Sequence, residues 1–290
     1  MSKGTKVKIN LDKVEICYVG HKELIDNIED TKHWDRDHYF LEYEENENKD
    51  KRETILSIYV DDIQDASGKV KFGTLKFGNS FETDNDKIRY CWLRIENNIL
   101  YNKSCLATTI ETMYWIQDDL GLEFNNITSL DIALDSNISW FRRIKNAIRN
   151  KSLIPIVLNK AYPNVGEEEI EPMDFRHKDN RKRYCSNTLY INNSDKDMIF
   201  NVYNKGKEIL KSGKIYIRGW FNSKGNIYRA EIRLKNKSLN EYCEKYNISQ
   251  YDIYMQLSND SLMFDIYYFF SNRLIHFVDA SRNKISFLQL

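Results

Sequence analysis

The chain has 290 residues, 41% of them hydrophobic and 30% charged, which is enough for one large domain or two ordinary ones with a real core. Its 43 basic residues balance 43 acidic ones, which excludes a protein that coats nucleic acid through bulk positive charge but leaves room for a local basic groove. No apolar run reaches the roughly 18 residues that span a bilayer, and the opening "MSKGTKVKIN" has no apolar signal-peptide core, so the expected setting is the cytoplasm, away from membranes. Five single cysteines with no CxxC pair read as free thiols in a reducing compartment rather than as a zinc site.

In chain order, "EYEENENKDKRE" (Glu42–Glu53) is charged and reads as an exposed loop or hairpin tip. "TILSIYV" and "KVKFGTLKFG" read as strands, and "RYCWLRIENNILYN" as two short strands around an Asn97-Asn98 turn. In Ser104–Leu122 the spacing of Leu106, Ile110, Met113 and Ile116 predicts a helix, with Gly121 just past its end. "ITSLDIALDSN" reads as a strand, "WFRRIKNAIRNKSL" as an amphipathic helix with a basic face, and "NVGEEEIEPMDFRHKDNRKRYCSN" as a long polar loop. "TLYIN", "MIFNVYN" and "YRAEIRLKN" are predicted strands, with the short helix "KGKEILKSG" following the second. Beyond Ser238 the segments look helical, and "SLMFDIYYFFSNRLIHFV" reads as one buried helix. Strands mixed with helices, without regular βαβ alternation, indicate an α+β fold with a central, mainly antiparallel sheet and flanking helices.

Side chains alternate between the two faces of a strand. In "SLDIALD", Leu130, Ile132 and Leu134 share one face, and Asp131, Ala133 and Asp135 the other. In the next strand Met198, Phe200 and Val202 oppose Asn201, Tyr203 and, beyond it, Lys205. In the last, Ala230, Ile232 and Leu234 oppose Arg229, Glu231 and Arg233. A solvated antiparallel strand shows the same division, but Asp is depleted in strands, so two Asp residues within five positions carry information. If the strands are neighbours, their polar face gathers carboxylates that need a cation between them, and hard oxygen ligands suit Mg²⁺ or Mn²⁺. A tyrosine beside such a site can attack a phosphodiester, and lysines and arginines can hold phosphates. "HWDRDHY", with His33 and His38 five apart, has no metal-site spacing and reads as an exposed loop.

The ordered set "SLDIALD", "TLYINNSDKDMIFNVYNKGKE" and "YRAEIRLKNK" resembles the Rep_trans group, the rolling-circle replication initiators of Gram-positive plasmids and related relaxases of integrative conjugative elements. The resemblance runs from about Arg89 to Lys237. It departs from the pattern at Ser129, where the group has arginine, and in a long Lys160–Asn187 loop. It implies a fold related to that of HUH endonucleases, with residues 1–88 an N-terminal strand-rich region, 89–237 a nicking core and 238–290 a C-terminal helical segment packed on it. It implies an initiator that binds an origin, nicks one DNA strand through a 5′-phosphotyrosine link and starts rolling-circle replication. A conjugative relaxase of the same chemistry is the close alternative, and a DNA-binding protein that keeps only the fold is another. By position, Tyr203 would be the nucleophile, with Tyr190 or Tyr184 as substitutes. Asp131, Glu231 and Asp135 would bind Mg²⁺ or Mn²⁺, and Lys205 would assist at the phosphate. Arg229 would assist there too, Arg233 would bind DNA, and the basic helix face, with Arg142, Arg143, Lys145, Arg149 and Lys151, would lie along a DNA backbone. DNA is the implied partner, with a host helicase and a second copy of the chain as further ones.

Overall fold

A computed structural model of the chain describes residues 6–31, 33–43, 55–61, 68–82, 87–102, 106–164, 166, 169–171, 173–178, 186–192, 197–221 and 225–290. The chain divides into two compact units, Met1–Leu11 with Asp131–Tyr242 and Asn259–Leu290, and Asp12–Leu130 with Cys243–Ser258. Two long strands, Val7–His21 and Glu123–Ser136, contribute residues to both.

In the first unit the strands Met173–Lys178, Ser186–Ile191, Met198–Asn204 and Tyr228–Lys235 pair in that order, each antiparallel to the next, and the Asp131–Ser136 stretch follows. Their apolar face is as read from the alternation: Phe200, Val202, Ala230, Ile232 and Leu234 are all buried. The helix Trp140–Arg149 packs on these strands, turning inward Trp140, Phe141, Ile144, Ala147 and Ile148. Phe287 joins the layers, edge-on to both Phe200 and Trp140. The helix Asp260–Leu274 packs on the Tyr228–Lys235 strand, and Tyr267 donates from it to the Ala230 carbonyl at 3.1 Å.

In the second unit Lys87–Ile95 pairs antiparallel with the first long strand from Glu15 to His21. Lys69–Glu82, Ile55–Asp61, Tyr39–Tyr43 and His33–Asp35 extend the sheet by antiparallel pairing. The helix Leu106–Asp119 ends as its sequence predicts: Gly121 takes φ +54°, and the Leu122 N–H closes on the Gln117 carbonyl at 2.8 Å. Cys17, Cys91 and Cys243 are buried free thiols. His33 begins a strand, and His38 stacks on Trp115.

The structure thus bears out the α+β, antiparallel reading, with three local corrections besides the strand His33–Asp35, which the sequence reads as part of an exposed loop. Asn97–Tyr101 is a helix rather than a turn and strand. Its adjacent Leu100 and Tyr101 are both buried, which a helix allows and a strand with one solvated face does not. Within the presumed polar loop, Met173–Lys178 forms an outer strand held by backbone pairing, and polar outer strands carry little hydrophobic signal. Ile275–Val278 leaves the final helix to form a strand between Ile154–Val157 and Lys284–Ser286, its β-branched and aromatic residues satisfying either reading. Most of Glu42–Glu53 lies outside the described residues, as does Tyr184. No helix among the described residues is long and apolar enough to cross a membrane.

Candidate active site

The carboxylates on the polar face of the first unit's strands are buried, although Arg233 on the same face is half exposed. Asp135, Arg229 and Glu231 have no accessible surface, and Asp131 and Asn201 retain 6% and 4%. Burying that much charge is tolerable only if it is paired, and the strand register does the pairing. Asn201 lies opposite Glu231, Tyr203 opposite Arg229, and Tyr190 opposite Asn201. Tyr190, Asn201 and Glu231 therefore form one row across three strands.

Arg229 grips Asp135 through two parallel bonds, Nε to Oδ1 and Nη2 to Oδ2, each 2.7 Å. Its remaining nitrogen, Nη1, stands 3.8 Å from Glu231 Oε2. The Tyr203 hydroxyl donates to that same oxygen at 2.8 Å. Arg233 Nε donates to Glu231 Oε1 at 2.8 Å and lies 3.4 Å from Asp131 Oδ2. Burial pulls the Arg233 guanidinium down, but Glu231, Asp131 and Tyr203 more than offset it, so its proton affinity lies above the ordinary value. Tyr267, on the helix Asp260–Leu274, is also shifted upward. Burial first, then the charges of Asp135 and Glu231, raise its phenol well above the usual range, so it stays a neutral donor.

Tyr203 is the penultimate residue of its strand, and the chain turns directly into the helix Lys205–Ser212. Asn204 caps that helix by accepting from the Lys207 N–H at 3.0 Å. The next turn is tied down by the Gly206 N–H, which donates to the Ile227 carbonyl at 2.8 Å. Beside Tyr203 opens a cleft of about 520 Å³. Its charged lining among the described residues is entirely cationic: Arg142, Lys145, Arg149 and Lys207.

Several expected roles shift with this geometry. Tyr203, Asp131, Glu231 and Arg233 come together as expected. Arg229 is too deeply buried to touch a phosphate and instead holds Asp135, and that leaves Asp135 both oxygens engaged rather than open to a metal. Lys205 is buried, paired with Glu208 at 2.5 Å, its amino group 5.8 Å from the centre of the Tyr203 ring. The cation of that turn which lines the cleft is Lys207. Arg143 hydrogen-bonds the backbone oxygen of Leu290, whereas Arg142 lines the cleft. Lys145 and Arg149, read from the sequence only as part of the helix's basic face, line the cleft with Arg142, because 142, 145, 146 and 149 follow the i, i+3, i+4, i+7 spacing of one helix face.

Three carboxylates do not form an open metal site here, and no group of three or more His, Cys, Asp or Glu among the described residues has such a geometry. A smaller oxygen set does fit a hard cation. Asp131 and Glu231 already converge on one guanidinium, and across the strand pair from Glu231 the buried Asn201 Oδ1 has no hydrogen-bond partner, which is where an amide oxygen can serve as a neutral ligand.

No curated protein matches the sequence. Among solved structures the chain is similar to the rolling circle replication initiator protein from Geobacillus stearothermophilus, with 11% identity and a TM-score of 0.45 over 94% of this chain and 87% of that one. The family model described as replication initiation factor matches residues 125–268, a stretch that holds Asp131, Asp135, Tyr203, Arg229, Glu231 and Arg233. Over that stretch, residues 125–268, the chain is similar to the replication initiation factor family.

Proposed function

We propose that the chain starts rolling-circle replication by nicking one strand of DNA at an origin, with Tyr203 as the nucleophile. The observation that carries this reading is that the Tyr203 hydroxyl bonds a buried carboxylate at a residue that borders a cleft of cations. DNA brings its phosphates into that cleft, where Arg142, Lys145, Arg149 and Lys207 replace its counterions. Tyr203 Oη attacks the scissile phosphorus as its proton passes to Glu231 Oε2. The bond from phosphorus to the 3′ oxygen breaks, and that oxygen takes up a proton. The products are a 5′-phosphotyrosine and a free 3′ hydroxyl for a polymerase.

Asp131, Glu231 and Asn201 would hold the divalent cation. When bound, Mg²⁺ or Mn²⁺ withdraws charge from the phosphate oxygens and eases formation of the pentavalent transition state. Arg229 and Asp135 act behind them, fixing Glu231 from below.

The test is a denaturing gel of the protein after incubation with Mg²⁺ or Mn²⁺ and single-stranded or supercoiled DNA carrying its own coding region. The wild type is expected to give a protein–DNA adduct and Tyr203→Phe none. An adduct that survives in Tyr203→Phe but disappears in Tyr190→Phe moves the nucleophile along the same sheet face. No adduct in the wild type with either metal sinks the nicking reading. A separate expectation concerns the cleft. Replacing Arg142, Lys145, Arg149 or Lys207 by Gln is expected to flatten the slope of log affinity against log salt for single-stranded DNA by about 0.7 per phosphate contact removed, read by fluorescence anisotropy. Unchanged slopes would place the DNA elsewhere.

A further inference from the structure

The same carboxylates that would hold a divalent cation are held by Arg233, and the two demands compete. We propose that Arg233 is the resident counter-ion of the Asp131–Glu231 pair and that a divalent cation binds by exchange with it. The inference rests on the reading that these two carboxylates take the cation.

Four observations point to an exchange rather than a fixed strut. A single nitrogen, Arg233 Nε, stands 2.8 Å from Glu231 and 3.4 Å from Asp131, so the guanidinium occupies the gap that a shared cation needs. The Arg233 side chain is 50% exposed, whereas its two partners are 8% and 0% exposed. It can therefore swing into solvent without opening the core, and it recovers rotamer freedom as it goes. Arg229 cannot leave in this way, being fully buried and doubly bonded to Asp135. Charge decides the direction. Within the cluster three carboxylates face two guanidiniums. If a dication replaces Arg233 while Arg229 stays, the cluster becomes neutral, which a buried site favours.

The arrangement keeps the face stable before metal arrives, since two buried carboxylates with no cation would repel one another. It also sets how tightly metal binds, because each binding event must first displace an ion pair.

The test measures Mn²⁺ binding to the metal-free protein without DNA, by electron paramagnetic resonance of the unbound ion. Arg233→Gln is expected to bind about tenfold more tightly than wild type, the removal of a competing charge at contact distance being worth at least that. Arg233→Lys, which keeps the competing charge, is expected to stay near wild type, and Asp131→Asn to lose binding. Equal or weaker affinity in Arg233→Gln, with binding still lost in Asp131→Asn, overturns the exchange and leaves the cation site standing. Mn²⁺ binding that is absent from every protein, or indifferent to Asp131→Asn, overturns the cation site and the exchange with it. Because Arg233→Gln could also disturb folding, a second readout uses the wild type alone. On addition of Mg²⁺ the Arg233 Nε–H signal in a nuclear magnetic resonance spectrum is expected to move to the position of a solvent-exposed arginine. A signal that stays put at saturating Mg²⁺ overturns the exchange.

Discussion

Arg229→Met is expected to destabilise the fold by about 3–5 kcal/mol, the usual consequence of stranding one member of a buried ion pair. The guanidinium is fully buried and carries two 2.7 Å bonds to Asp135, so its removal leaves a carboxylate with no water to solvate it. The side chain also stands 3.8 Å from Glu231, and a second buried charge loses support. Urea denaturation of wild type and variant reads the loss directly. The double variant Arg229→Met with Asp135→Leu is expected to regain most of it, because replacing both members by apolar groups of similar size is close to neutral. A loss below about 1 kcal/mol in the single variant, in the range of an exposed pair, would mean that the pair does not hold the sheet face together.

Glu231→Gln should act on chemistry instead. It removes the carboxylate that accepts the Tyr203 hydrogen bond, the proton acceptor of the proposed step, and one of the two charges facing Arg233. Adduct formation is expected to slow by about 10²–10⁴-fold, the range for loss of a positioned general base, and Mn²⁺ binding should weaken in parallel. Affinity for single-stranded DNA should hold, since the cationic cleft is untouched. Rapid-quench measurement of adduct formation beside an anisotropy titration separates the two. A variant that nicks at the wild-type rate would remove Glu231 from the mechanism. One that loses DNA binding as well would mean that the carboxylate shapes the cleft.

Much of this site is legible in the chain. The two Asp residues of "SLDIALD" stand out because strands disfavour Asp, and the alternation in three segments assigns Asp131, Asn201, Tyr203, Glu231 and Arg233 to one face correctly. What alternation cannot reveal is whether that face is wet. A solvated face and a buried ionic one have the same pattern, and only the partner tells them apart. Asp135 finds its partner 94 residues away in Arg229, a pairing fixed by strand order and register rather than by any local signal. Lys205 illustrates the complementary failure. Two positions past Tyr203, it continues the strand's alternation on paper, but the chain has already turned into a helix, and the residue pairs along that helix with Glu208. Arg143 differs from Arg142 for a similar reason: neighbouring helix residues point about 100° apart, so one lines the cleft and the other meets Leu290.

If Tyr203 is the nucleophile, as proposed, its place at the strand–helix junction has a consequence for turnover. Exchanging one phosphodiester for another is nearly balanced in energy, so a phosphotyrosine bond is as easily undone as made. A phenol fixed between a paired strand and a capped helix cannot carry its cargo away from the freed hydroxyl. The two ends then remain at a high effective concentration, and resealing is the default fate of every nick. On that reading net progress depends on how fast something else draws the 3′ end out of the cleft, so the proposed enzyme would behave as a reversible latch whose direction is set by whatever extends or unwinds that end.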